Sequence, residues 1–286
     1  MKNIRYFFEF LIIVFLFSVF KLLGVKIASY IGGKLGNVFG PFFRSKKLIK
    51  SNIVRAFPNL NDFEVRKIIN KMWNNYGRIL SEYIFIKRFR NLNLENNLLI
   101  EGNEILKKIK QDKEPVIFIS GHFDNFELMA MQIEKSGIEL SAVYRPLNNF
   151  FINIIMESIR KKYICKNQIK KGTAGIRDLL NLFKNGSSIA LMIDQRVSEG
   201  IRSNFFGQKA LTTTMPAQFV KRFNCKIVPI YIERTSGINF KMKISKPIEY
   251  SREMSIEKIT DELNSCLEKM ILQNPNQWIW THNRWK

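Results

Sequence analysis

The fold of this 286-residue chain is decided by the stretch VIFISGHFDNFE, residues 116–127. Its first five residues, Val116–Ser120, form a short apolar run of the kind that makes a buried strand. A glycine follows, and an amphipathic segment from about Asp124 to Lys135 predicts a helix. A buried strand that passes through a glycine turn into a helix is typical of an α/β domain.

The same alternation continues on both sides of this stretch, from residue 91 to the C-terminus. It predicts an α/β domain with a mixed, largely parallel sheet flanked by helices. Ile227–Arg234 and Asn239–Pro247 predict an antiparallel hairpin near the sheet edge, and Ser255–Gln273 predicts a final helix. Further strands are predicted at Leu98–Ile100, Leu140–Tyr144, Ser188–Ile193 and Ile227–Ile232, and further helices at Phe151–Lys162 and Gly175–Lys184.

The N-terminus is apolar from Tyr6 to Phe20 except for Glu9 and Ser18. Fifteen helical residues cover about 22 Å, and extension to Val25 reaches about 30 Å, the thickness of the hydrocarbon core. The segment therefore either just spans a membrane or lies in one leaflet, and we expect a retained anchor, not a cleaved signal peptide. The predicted organisation is an anchor at 1–25, a helical membrane-proximal part at 26–90 and the α/β core at 91–286.

The chain is strongly basic, with a formal net charge of +22. Such an excess suits nucleic acid, an anionic membrane or an acidic protein partner. Most of the cations near the anchor follow it, and this bias predicts that the bulk of the chain lies in the cytoplasm. The three cysteines are far apart and form no C-x-x-C pair, so neither a disulfide framework nor a zinc site is predicted.

His122 and Glu127 are the candidates for acid–base chemistry. On an ideal helix, residues five positions apart are separated by about 140° and do not meet. If His122 lies in the turn before the helix, the Glu127 carboxylate can fold back to one ring nitrogen, and the other nitrogen can act as a general base. Two structural interpretations compete: Asp124-x-x-Glu127 matches a helix capping box, and His122 is compatible with a turn histidine that does no chemistry.

Polar residues follow three of the predicted strands: His122, Arg145 and Asp194. Ligands of open α/β sheets bind beyond the carboxyl ends of the strands, so we expect these residues to converge on one cleft. The segment 194–214 lacks periodicity and predicts a long basic loop with Phe205-Phe206, either a clamp for a phosphorylated lipid or a solvated excursion. The three tryptophans of the C-terminal tail predict packing against the core or a position at the membrane interface.

Several short motifs occur in order along nearly the whole chain. They are Asn52-x-x-Arg55-Ala-Phe-Pro58, Gly121-His122-Phe-x-Asn125-x-Glu127, Tyr144-Arg145-Pro146, Asp194-Gln195, Phe205-Phe206-Gly207 and Gln277-Trp278-x-Trp280-x-His282-x-Arg284-Trp285. This ordered set resembles the lipid A biosynthesis lauroyl/myristoyl acyltransferases, the late acyltransferases of Gram-negative bacteria. The chain departs from the family at Asp124, where a small residue is usual, and at Phe126, where Trp is common.

The resemblance implies a glycerolipid-acyltransferase-like fold and an enzyme of the inner membrane with its catalytic domain on the cytoplasmic side. It implies an acyl-acyl carrier protein donor and a lipid A precursor as acceptor, with no cofactor, metal or nucleic acid. His122 would be the general base oriented by Glu127, and transfer would be direct. Backbone N–H groups after Gly121 would stabilise the oxyanion. Further candidates for substrate or oxyanion binding are Arg145, Asp194, Gln195 and Asn125.

Four alternatives remain open at this point. The acceptor could be another glycolipid or a phospholipid, or the same dyad could activate water in a hydrolase. A cysteine could form an acyl-enzyme, although none lies near His122 in sequence. A non-enzymatic chain would be a basic, membrane-docked binder of polyanions.

Overall fold

The computed structural model describes residues 2–91 and 97–286 of the chain. The predicted start of the α/β core at residue 91 adjoins residues 92–96, which lie outside the described part. The helices are α1 (Lys2–Phe43), α2 (Lys46–Ala56), α3 (Asp62–Glu82), α4 (Ile86–Asn91), α5 (Asn103–Asp112), α6 (Glu127–Lys135), α7 (Phe150–Tyr163), α8 (Thr173–Lys184), α9 (Met215–Phe223) and α10 (Ile256–Gln273). The strands are β1 (Leu98–Glu101), β2 (Ile117–Ser120), β3 (Leu140–Tyr144), β4 (Asn167–Lys170), β5 (Ser188–Met192), β6 (Ile201–Phe205), β7 (Gln208–Thr212), β8 (Ile227–Ser236) and β9 (Asn239–Ile244).

Seven strands form one sheet in the order β1-β9-β8-β2-β5-β3-β4. Strands β8, β2, β5, β3 and β4 are mutually parallel, and β9 reverses direction after the β8–β9 hairpin. β2 is buried at all four positions, which explains why its first three residues, Ile117–Ile119, are apolar. The predicted fold class, a largely parallel sheet flanked by helices, is confirmed.

Most of the predicted elements are present, but their ends differ and some elements were not predicted. The β8–β9 hairpin and the helices α7, α8 and α10 are confirmed within a few residues. The helix after β2 begins at Glu127, three residues later than predicted. The short strand β4 and helices α5 and α9 were not predicted, because their apolar patterns are brief.

Helix α1 consists of two helical segments joined at Gly24, whose backbone leaves the helical region at φ 77° and ψ 160°. It is the one helix of the described residues that is long and apolar enough to cross a membrane. The helix continues through Pro41 to Phe43.

The second segment of α1 packs closely on α3 through glycines. A Cβ atom at Gly36 would lie 2.2 Å from the carbonyl oxygen of Trp73, and one at Gly77 would lie 2.0 Å from that of Gly32. Only glycine allows the two backbones to approach this closely. This segment is therefore part of the folded domain.

The tryptophan-rich tail packs into the core beside the carboxyl ends of the strands. Trp278, Trp280 and Trp285 are all buried, and the two rings of Trp278 and Trp280 meet edge to face with centroids 4.6 Å apart. The indole N–H of Trp280 donates to the carbonyl of Pro275 at 2.7 Å. Core packing of the tail is confirmed.

Candidate active site

The strand register places His122 beside Asp194. Ser120, the last residue of β2, pairs with Met192, the last residue of β5. Because the strands are parallel, residues two positions beyond this pair leave the same edge of the sheet side by side. The predicted convergence of His122 and Asp194 is confirmed.

Asp194 holds the histidine through backbone and side chain together. Its Oδ1 lies 2.8 Å from His122 Nδ1, and its Oδ2 accepts from the His122 backbone N–H at 2.8 Å. The indole N–H of Trp278 donates to the same Oδ2 at 2.9 Å. An ionised carboxylate only accepts hydrogen bonds, so in the neutral ring Nδ1 carries the proton and the lone pair is left on Nε2.

The pKa values of the two residues move in opposite directions. Burial alone lowers the pKa of His122, but the charge and hydrogen bond of Asp194 outweigh burial and raise that pKa above its ordinary value. Burial raises the pKa of Asp194, and its contacts with His122 and Trp278 reverse this and lower it. The His122 side chain is 20% exposed, so the ring remains accessible.

Glu127 does not hold the histidine ring, and the expected His122–Glu127 hydrogen bond is wrong. The Glu127 carboxylate instead accepts from Arg160 Nε at 2.8 Å and Arg160 Nη2 at 2.5 Å. Glu127 lies at the start of α6, and its side chain is directed toward α7. The position next to His122 Nδ1 is already taken by Asp194, which follows β5. Glu127 still acts on the ring by its charge, which raises the pKa of His122.

The predicted capping box is also absent, because Asp124 takes a left-handed conformation with φ 35°. Its Oδ1 is bound by Arg234 Nη2 at 2.9 Å, and Arg234 also binds both oxygens of Glu82 at 2.6 and 2.9 Å. Asp124 is fully buried, and this burial raises its pKa to about 6. Asn125 belongs to the same network, since its Nδ2 donates to Glu82 at 2.9 Å.

The N–H groups of residues 122 to 126 have partners within the protein, which removes these five as oxyanion donors. The N–H of His122 binds Asp194, that of Asp124 binds the Gln277 carbonyl, and that of Asn125 binds Asp124. The expectation is therefore wrong for these five amides. The turn is too tight to leave these groups free.

Arg145 and Gln195, the other candidates, lie at the same edge of the sheet. Arg145 follows β3, which neighbours β5, and its side chain is exposed. Gln195 is half-buried and directly follows Asp194. Neither side chain makes a hydrogen bond or ion pair with another described residue.

The segment 194–214 is not the predicted loop. It contains the antiparallel hairpin β6–β7, which packs on α10 through Asp261 and Asn264. Phe205 is fully buried, and its ring stacks near that of Trp285 at 5.4 Å. The strands were missed because their exposed residues are polar and their buried residues are few.

Sequence reasoning did not identify the roles of Trp278, Arg160, Arg196 and His282 at the site. His282 Nδ1 accepts from the Arg196 backbone N–H at 3.4 Å, and burial lowers the pKa of His282 to about 4. Arg196 Nε is buried without a hydrogen-bond partner in the described part of the chain. Only the position of Arg196, two residues after Asp194, could have indicated it.

The described residues contain no cluster of acidic, histidine or cysteine side chains that could hold a metal ion. Cys165 and Cys225 are buried, and burial raises the pKa of each thiol to about 12. Cys266 is half-buried on α10, and burial raises its pKa as well. None of the three hydrogen-bonds to the residues at the His122 edge.

Comparison with known proteins identifies the family of the chain. The family model described as bacterial lipid A biosynthesis acyltransferase matches residues 1–286. The chain is 24% identical over 251 residues to the lipid A biosynthesis lauroyltransferase of Escherichia coli, covering 85% of this chain and 79% of that protein. It is 21% identical over 266 residues to the palmitoleoyltransferase of the same organism, covering 91% and 85%.

Among solved structures, the 1-acyl-sn-glycerophosphate acyltransferase PlsC of Thermotoga maritima aligns with 92% of this chain and 99% of its own, at 14% identity. The TM-score is 0.41, which is too low to bear on the site. The family match over the full length and the paired histidine and aspartate at the sheet edge lead to one conclusion: the chain belongs to the bacterial lipid A biosynthesis acyltransferase family and is an acyltransferase.

Proposed function

We propose that this enzyme transfers a fatty acyl chain from acyl-acyl carrier protein to a hydroxyl of a lipid A precursor, with His122 as general base and Asp194 as the residue that orients it. The observation that carries the proposal is the Asp194–His122 contact of 2.8 Å. It fixes the tautomer in which Nε2 is free to accept a proton from the acceptor hydroxyl.

In the proposed step, the acceptor oxygen loses its proton to His122 Nε2 and attacks the thioester carbonyl. The imidazolium that forms is stabilised by Asp194, and by Glu127 at longer range. Collapse of the tetrahedral intermediate breaks the carbon–sulfur bond, and the imidazolium returns its proton to the departing thiolate. No acyl-enzyme is needed, because a thioester is already activated.

Side-chain cations replace the backbone amides as candidates for the oxyanion. Arg196 has a buried Nε with no partner among the described residues, and it follows Asp194 by two positions. We assign the oxyanion to Arg196 and a phosphate of the acceptor to the exposed Arg145. Glu127 is assigned an indirect role: it holds Arg160 against the edge of the site.

The basic surface of the chain supports an acidic carrier protein as donor, and binding of such a partner weakens as salt rises. The cations that follow the apolar segment support a position on the cytoplasmic side of the inner membrane. Both assignments belong to the proposal.

The test is transfer from radiolabelled acyl-acyl carrier protein to a purified lipid A precursor in mixed micelles. We expect acceptor-dependent release of the carrier thiol and an acylated lipid, both lost in His122→Gln. Fatty acid release that does not depend on acceptor would assign a hydrolase instead. Full activity of folded His122→Gln would remove the general-base role.

A further inference from the structure

The first segment of α1, residues 2–23, is covered by protein along one face for nearly its whole length. Phe17 and Phe20 are buried in the core, and Ile13 and Leu16 pack against it. Nearer the N-terminus, the rings of Phe7 and Phe10 each lie 5.7 Å from that of Phe151 on α7. The segment therefore lies along the domain and does not project from it.

Polar contacts hold the start of α7 to the same part of α1. Asn149 Nδ2 donates to the Tyr6 carbonyl at 2.9 Å and to Glu9 at 3.2 Å, and Asn149 Oδ1 caps the first turn of α7. Glu9 is also paired with Arg5 at 2.8 Å. The two helices consequently enter any lipid phase together.

The contact between α1 and α7 disfavours a transmembrane orientation of α1. Residues 6–10 lie about 24 Å along the helix from Gly24, so crosswise insertion would carry the start of α7 through most of a hydrocarbon core of about 30 Å. Asn149 and the exposed Asn148 would then lie among acyl chains, beside the Arg5–Glu9 pair. Polar groups at that depth are costly.

The uncovered faces of both helices are apolar and are bordered by lysines. On α1 the outward positions recur at helical spacing, and on α7 they are one turn apart. Their exposed fractions are 60% for Phe8, 60% for Ile12, 68% for Phe15, 89% for Leu22, 65% for Phe150 and 52% for Ile154. Lys21 and Lys26 flank the α1 stripe, and Lys161 and Lys162 end the exposed face of α7.

We infer that α1 (residues 2–23) and α7 form one docking surface, which lies in the plane of a single leaflet of an anionic bilayer. Apolar side chains on both helices enter the acyl region, while the lysines reach the headgroups. The catalytic edge is thereby held at the lipid surface, since Arg160 of α7 binds Glu127 beside His122. The inference does not depend on acyl transfer.

The test measures depth in the full-length chain bound to vesicles of phosphatidylcholine and phosphatidylglycerol. Cys266→Ser leaves only the two buried thiols, and single cysteines at Phe8, Phe15, Leu22 and Phe150 then carry an environment-sensitive fluorophore. Lipids brominated at shallow or deep positions quench the label according to its depth. Leu99→Cys, exposed on the edge strand β1 at the far end of the sheet, is the matched control.

We expect one shallow depth for Phe8, Phe15 and Leu22, quenching at Phe150 and none at Leu99. A profile that is deepest at Phe15 and shallow again at Phe8 would mean a crosswise helix and would overturn the inference. Quenching on α1 without quenching at Phe150 would overturn the role of α7.

A second measurement does not use labels. Phe150→Ser together with Ile154→Ser is expected to weaken partition into the same vesicles by about tenfold or more, from the apolar area withdrawn from water. Leu99→Ser is the control, and an unchanged melting temperature in detergent shows that the domain is intact. Unchanged partition of the folded double variant would contradict docking by α7.

Discussion

Replacement of Asp194 by Asn tests the proposed mechanism most directly, because the two side chains have the same shape. Asp194 Oδ2 accepts two N–H groups, from the His122 backbone and Trp278, whereas Oδ1 faces His122 Nδ1. The amide oxygen of Asn can take the place of Oδ2 and keep both bonds. The NH₂ group then faces Nδ1.

An NH₂ donor can bind Nδ1 only when that nitrogen is unprotonated, so the proton moves to Nε2 and the base is lost. The same change in a Ser-His-Asp triad costs about 10⁴-fold in kcat, which corresponds to about 5 kcal/mol in the activation barrier. We expect a fall of about 10³- to 10⁴-fold here. The loss of the negative charge also leaves burial as the main influence, so the pKa of His122 falls below its ordinary value.

The assay is kcat/KM for acyl transfer as a function of pH, with thermal unfolding in detergent as the check on folding. In the wild type, the acidic limb is expected above the ordinary histidine pKa of about 6.5, since His122 must be neutral and its pKa is raised. Asp261→Asn is the matched control, because Asp261 binds Ser203 in the hairpin contact away from the site. Activity of folded Asp194→Asn within about threefold of the wild type would refute the reasoning.

Three further results are expected. Glu127→Ala leaves the largely buried Arg160 side chain without its carboxylate and should lower the unfolding free energy by about 3–5 kcal/mol, measured by denaturant titration. The double variant Glu127→Ala with Arg160→Met should recover most of this loss. A loss below about 1 kcal/mol in the single variant would contradict a structural ion pair. Asp124 has a pKa raised from 3.8 to about 6, so its carboxyl stabilises the fold at low pH and this contribution is lost as pH rises through 6. The unfolding free energy of Asp124→Gly relative to the wild type should therefore be about 2 kcal/mol more favourable at pH 8 than at pH 4. An equal difference at both pH values would count against the raised pKa of Asp124. A variant in which Cys165, Cys225 and Cys266 are all replaced should keep its acyl-transfer rate within about threefold of the wild type. Inactivity of this variant in a folded state would overturn direct transfer.

The position of the site was predictable from the sequence, but the partner of the histidine was not. Buried strands end at Ser120 and Met192, and a parallel sheet brings the residues after them to one edge. Glu127 was predicted as the partner of His122 because it lies only five residues away in the sequence. Which strands are neighbours is set by long-range packing, and the order β2-β5 gives Asp194 the shorter path to Nδ1.

The sequence also concealed two structural roles. Arg234 on β8 binds both Glu82 of α3 and Asp124 in the turn after β2, a network that joins residues up to 152 positions apart. The β6–β7 hairpin has inward positions too few to produce a clear alternation, so it resembled a loop. Trp278, in contrast, belonged to a motif visible in the tail, although its hydrogen bond to Asp194 depends on the folded structure.

The glycine contact between α1 and α3 limits how the enzyme can be made soluble. Deletion of α1 to Phe43 would uncover the backbone groove that Gly32 and Gly36 now fill on α3. A cut at Gly24 would still strip Phe17 and Phe20 from the hydrophobic interior. The first segment of α1 therefore cannot be removed without loss of core contacts. Polar residues in place of Phe8, Phe15 and Leu22 are a better route to a detergent-free preparation than truncation of the chain.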